Sequence, residues 1–126
     1  MNTTNNYGLT AIRAIEIFKN NNSPEEAWKE AALEIMTSES AQKKGCPKSA
    51  FLGLCEAGFI KGIPKGNYTR SKKNKDYAID AVNILKNNKN ISLGVNELWE
   101  LVDNNGISHN SQMDVVLALW NENSIK

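Results

Sequence analysis

Cys46 is the residue whose surroundings most favour chemistry. It lies in Lys43-Lys44-Gly45-Cys46-Pro47-Lys48, a thiol flanked by three ammonium groups at or next to a helix start. Helix dipole and cations both favour thiolate over thiol, which makes Cys46 the better of the two cysteines for a nucleophile. The same turn, with exposed N–H groups and lysines, also suits a phosphate. The only histidine, His109, opens His109-Asn110-Ser111-Gln112-Met113-Asp114. Cys46 as nucleophile, His109 as base and Asn110 or Asp114 as orienter are the ingredients of a cysteine hydrolase, provided the fold brings them together. A small residue at a helix start, and a capping cluster around His109, are the structural readings of the same residues. One histidine and two cysteines make no zinc pattern, and no phosphate-loop or dinucleotide fingerprint is present. The expectation is no metal and no cofactor.

The second chemical feature is charge. The net charge of +1 conceals nine basic residues and one acid, Glu56, between Lys43 and Lys75. Residues 1–42 hold three bases against six acids, and residues 76–126 three against seven. Within the segment 61–75 (KGIPKGNYTRSKKNK), Tyr68 and Arg70 are placed to stack on a base or clamp a phosphate. Lys65, Lys72, Lys73 and Lys75 would supply counterion release. A solvated loop is the competing reading.

These residues sit between helical patterns that occur twice. Residues 11–22 (AIRAIEIFKNNN) and 78–89 (AIDAVNILKNNK) share seven of twelve positions; residues 50–61 (AFLGLCEAGFIK) and 115–126 (VVLALWNENSIK) share four. Ala11, Ala14, Ile15 and Phe18 fall at helical spacing, and Ala78, Ala81, Val82 and Leu85 repeat the stripe. Asn20 to Asn22, and Asn87, Asn88 and Asn90, suit helix ends because Asn tolerates left-handed backbone. Ser23, Pro24 and Glu26 form a strong start for a second helix carrying Trp28 to about Met36; its counterpart runs from about Gly94 through Trp99 to Val102. Both tryptophans read as core anchors. The apolar runs at Ala50–Cys55 and Val115–Trp120 read as buried third helices. Pro47 suits the first turn of one, Ser111 with Asp114 a capping box for the other, and Gly58 and Asn123 end them.

The expected fold is therefore all-α. It has about six helices as two pseudo-repeated three-helix units, helix-turn-helix-like in topology, with minimal or no β structure. The tails at 59–63 and 124–125 are the places where a minimal sheet could form. At 126 residues the chain is one domain with one core: repeat 1 about 7–61, basic linker 61–75, repeat 2 about 76–126. The polar amino-terminal residues and the absence of a long apolar run point to a cytoplasmic protein without a membrane partner. Its cysteines should be reduced, since nine helical residues would hold Cys46 and Cys55 about 13 Å apart.

The strings KGCPKSAFLGLCEAGFIKGIPKGNYT, NKDYA and HNSQMDVVLALW resemble a family of small bacterial proteins known only as a domain of unknown function. The likeness runs from about Ala11 to Ile125 and implies no activity. Its pattern falls on Lys44, Gly45, Cys46, Pro47, Phe51, Gly53 and Cys55, then on Gly62, Tyr68, Asn74, Lys75 and Tyr77, and finally on His109, Asn110, Gln112 and Asp114. The leading functional expectation is a binding module holding a nucleic acid, a nucleotide or an acidic protein surface through the basic segment. The first alternative is a small enzyme using Cys46 and His109. The second is a protein-interaction or inhibitor module using the acidic helices at Glu25, Glu26 and Glu30.

Overall fold

Ser23 accepts a hydrogen bond from Glu26 N at 3.1 Å and Pro24 occupies the first helical position, so the strongest start signal in the chain produces a helix where it should. In the computed structural model, which describes residues 4–18 and 23–126, the fold is all-α. Six principal helices and one single turn follow in order: α1 (Asn6–Phe18), α2 (Pro24–Ile35), the turn α3 (Glu39–Gln42), α4 (Gly45–Ala57), α5 (Lys72–Asn87), α6 (Val95–Leu101) and α7 (Gln112–Asn121). The expected stop at Asn20 to Asn22 lies outside the described residues.

One core joins these helices. Trp28 and Phe51 meet at 5.4 Å between ring centroids, and Tyr77 meets Trp99 edge-on at 5.2 Å. Trp28 and Trp99 are buried, as are Phe51, Leu54 and Cys55 of α4 and Val115, Val116 and Leu119 of α7, whereas Trp120 is half-buried. Long-range packing runs α1 on α7 and α5 on α4, with α4 against α7. Where α4 crosses α5, Gly53 is required: a Cβ there would lie 2.6 Å from Lys75 Cα.

The carboxyl ends of α4 and α7 finish alike. Gly58 (φ 81°) and Asn123 (φ 59°) are both left-handed. The chain then turns back so that Phe59 N reaches Leu54 O at 3.0 Å and Ser124 N reaches Leu119 O at 2.9 Å. Ile60 and Ile125, which stand at matching places in the two apolar runs, face each other in a single antiparallel bridge. That bridge is the full extent of β pairing among the described residues.

Three local expectations are corrected. The helix expected from about Ala78 begins at Lys72, so Lys72, Lys73 and Lys75 are helical rather than linker; Ser71 is its N-cap. Asn88 ends α5 without left-handed backbone, through its side-chain amide, which donates to Ile84 O at 2.8 Å. Ser111 forms no capping box. Its own backbone is left-handed (φ 70°) and its side chain makes no cap bond.

Candidate functional site

The single turn α3 delivers Lys43 as its C-cap, and Lys44 follows at once as the N-cap of α4. Lys44 makes no side-chain cap bond; its ammonium lies over the Tyr7 ring, 5.2 Å from the centroid. The first turn of α4, Gly45-Cys46-Pro47, is thus left without a side-chain cap, and a Cβ at Gly45 would meet nothing within 4 Å.

Glu56, one helix length further on, fixes the opposite wall. Its carboxylate accepts the backbone N–H of Tyr68 at 2.7 Å, that of Thr69 at 3.2 Å and the Lys75 ammonium at 2.7 Å. The ammonium first, then the Tyr68 amide, hold its pKa down to about 2 against the opposing effect of burial. One carboxylate thereby ties the loop after α4 to the first turn of α5. Tyr68 is also held within its loop, its hydroxyl donating to Pro64 O at 2.7 Å and its ring lying where a Cβ of Gly66 would clash at 2.6 Å.

The network continues from Ser71 across the molecule. Asn74 Nδ2 donates to Ser71 Oγ at 3.0 Å; Asn74 Oδ1 accepts from Gln112 Nε2 at 3.0 Å. Buried Gln112 in turn accepts the Asn110 N–H at 2.6 Å. Burying an amide side chain requires such partners.

Between these walls runs an open groove of about 760 Å³, lined by Lys43, Gly45, Lys48, Ser49 and Leu52 from α4 and the turn before it, by Asn67, Tyr68, Thr69, Arg70 and Ser71 from the loop, and by Glu25 of α2. Of the candidate binding residues it brings together Lys43, Lys48, Tyr68 and Arg70. Lys48 is 3.8 Å from Glu25, and Lys43 is 2.7 Å from the exposed Glu39. The Arg70 guanidinium has no ion-pair partner among the described residues. The other candidates lie elsewhere. Lys44 is on Tyr7, Lys65 packs its stem near Gly58, Lys75 is paired with Glu56, and Lys72 is exposed on α5. Lys73 lines a separate hollow with Asp76 and Asp80, and Asn110 and Gln112 belong to the internal network. Sequence reasoning missed Ser71 and Glu56. Ser71 three residues before Asn74 was the available signal for the first; nothing local marks the second as a clamp.

His109 acts at the start of α7. Its Nε2 accepts the Met113 N–H at 2.9 Å, which makes the ring neutral with its proton on Nδ1, and the ring lies 5.2 Å from that of Trp99. Burial lowers its pKa; the charge of Asp114 opposes this and that of Lys44 adds to it. Cys46 is half-buried, and among the described residues no hydrogen bond joins it to His109. Cys55 is fully buried, which pushes its thiol pKa far up. Among the described residues no helix is long and apolar enough to cross a membrane, and no group of three or more His, Cys, Asp or Glu side chains could hold a metal ion.

No curated protein and no solved structure matches the chain. A family model described as a family of unknown function (DUF6979) matches residues 4–126, nearly the whole length, and the chain belongs to that family.

Proposed function

We propose that the protein is a binding module for an anionic partner, held in the groove between the first turn of α4 and the 67–71 loop. The observation that carries this reading is that Lys43, Lys48 and Arg70, the last without an ion-pair partner among the described residues, line one groove at which both α4 and α5 begin. Helix N-termini carry partial positive charge, so acids belong in their first turns and cations there are unfavourable by about 0.3–1 kcal/mol each. Neither α4 nor α5 has an acid in its first turn, and Glu56, the carboxylate that reaches the first turn of α5, is already taken up by Lys75 and two loop amides. A bound anion relieves that accumulation of positive charge. The comparison within the molecule is a second cationic hollow lined by Lys86, Lys89 and Lys126. Lys86 lies in the last turn of α5, where the dipole already favours a cation, so that hollow has less need of a ligand. Support for a Cys46–His109 enzyme is thinner, since the Nε2 lone pair that a general base would use already accepts the Met113 amide.

The test is fluorescence anisotropy with labelled dT12 and labelled decaglutamate at two salt concentrations. Arg70→Gln should weaken binding of at least one probe roughly fivefold, about 1 kcal/mol, and flatten its salt dependence. Lys89→Gln should leave binding unchanged. Equal effects of the two substitutions, or none from Arg70→Gln, would refute the groove as the site.

A further inference from the structure

Lys43 and Lys48 face two depressions. Besides the groove, they line a hollow of about 290 Å³ together with Lys29, Leu33 and Gln42. Leu33 is 67 % exposed, the most exposed of the large apolar side chains among the described residues. Lysine stems are hydrocarbon and their heads keep to water, so the stems of these lysines extend the apolar surface of Leu33, while their ammonium groups lie within 4 Å of Glu25 (Lys29 and Lys48) or Glu39 (Lys43). It shares Lys43 and Lys48 with the groove, so the same two lysines border both the hollow that holds exposed Leu33 and the groove lined by Arg70.

That arrangement discriminates between anions. Single-stranded nucleic acid is held by stacking bases on exposed aromatic faces along a cationic track. Among the described residues Tyr68 is the only aromatic one lining the groove, and it is committed to its own loop through Pro64 O and Gly66. Glu25 lines the groove and repels any anion beside it, but a peptide, unlike a phosphate chain, can turn a backbone N–H group towards that carboxylate. An exposed leucine inside a lysine rim has nothing to gain from a phosphate but can bury an apolar side chain. Resting on the anion-binding reading, we infer that the groove and the Leu33 hollow together form one docking surface for an acidic peptide segment of a partner protein, with a large apolar side chain next to its acidic residues seated against Leu33.

The experiment is selection of a displayed random dodecapeptide library on the full chain. The enriched peptides are then titrated by anisotropy against the wild-type protein, Leu33→Ser and Arg70→Gln, with dT12 as the nucleic-acid probe. Both substituted side chains are exposed, so neither change touches the core. Enriched peptides should pair Asp or Glu with Leu, Ile, Phe or Trp, and each substitution should weaken them about five- to tenfold. Peptides weakened by Arg70→Gln and indifferent to Leu33→Ser would overturn this inference and leave the anion reading standing. Indifference of the peptides and of dT12 to both substitutions would overturn both. Binding of dT12 tighter than every enriched peptide and insensitive to Leu33→Ser would assign the surface to nucleic acid instead.

Discussion

Replacing Glu56 with Gln removes the charge on which the loop wall of the groove depends while keeping the side chain's shape. In the folded chain the carboxylate titrates near 2 rather than at 4.5, because the Lys75 ammonium and the Tyr68 and Thr69 amides all stabilise its charged form. Each pKa unit is worth about 1.4 kcal/mol, so the shift sets a ceiling of about 3 kcal/mol. The Lys75 side chain is 27 % exposed and that of Glu56 14 %, so solvent screens part of the interaction and about 1–2 kcal/mol is expected. A depressed folded-state pKa stabilises the protein at every pH above about 4.5, and that contribution is lost as pH falls towards about 2. Urea denaturation followed by tryptophan fluorescence should therefore find Glu56→Gln less stable by about 1–2 kcal/mol at pH 7. The difference should shrink towards zero as pH falls from about 4.5 to about 2. Lys75→Met, which keeps the hydrocarbon stem at Gly53 and removes the ammonium, supplies the other arm of a double-mutant cycle, with about 1 kcal/mol of coupling expected. A wild-type-minus-variant difference that does not change with pH, or one below about 0.5 kcal/mol at pH 7, would refute the clamp.

Two further substitutions test the geometry around the groove. Gly53→Ala drives a methyl into Lys75 Cα at 2.6 Å, a backbone atom that cannot swing aside; a loss of about 1–3 kcal/mol in urea denaturation is expected, and a variant as stable as wild type would contradict the close crossing of α4 and α5. His109→Ala should lose the Met113 cap and about 1 kcal/mol at pH 7.5. Because burial holds the folded-state pKa of His109 below its ordinary 6.5, its contribution is present above that pH and declines as pH falls below it; wild type should lose stability on acidification from pH 7 more steeply than the variant, and equal slopes would show that His109 does not titrate against the fold.

What the sequence made legible was decided locally. Ser23-Pro24, Pro47 and Gly58 each act within one turn of their own backbone, and each stands where local reading puts it. The failures come from demands made at long range. Three lysines in four residues look like linker, because a helix start disfavours cations. What makes α5 begin at Lys72 includes an ion pair from Lys75 to Glu56, nineteen residues away. Ser111 has the right spacing for a capping box, but Gln112 is buried and must reach Asn74, thirty-eight residues away. With Ser111 left-handed, the Met113 N–H is capped by His109 instead. In the site, the cations could be read from charge density alone. Which of them face one groove depends on how Glu56 folds the loop back, and a lone acid in a basic segment carries no sign of that role.

The contrast between the starts of α4 and α7 gives the functional reading its sharpest physical form. Their carboxyl ends meet through equivalent bonds, Lys61 N to Ser124 O at 2.9 Å and Lys126 N to Phe59 O at 2.8 Å, and they run back into similar apolar sequences. At the amino end of α7 the polar groups are used internally: His109 takes the Met113 amide, and Gln112 joins Asn110 to Asn74. At the amino end of α4 no side chain closes the turn, Gly45 leaves it open, and Lys43 and Lys48 stand beside it. A helix start without a cap forgoes about 1 kcal/mol, and cations beside it add to the deficit. Stability alone favours a Ser or Asp at position 44, as at Ser23, Ser38 and Ser71, where the side chain accepts from the helix. Among the described residues, Lys44 departs from that solution at the one principal helix start where an uncapped turn opens onto the groove, and under the proposed anion-binding function a bound anion would complete the turn that the chain leaves open.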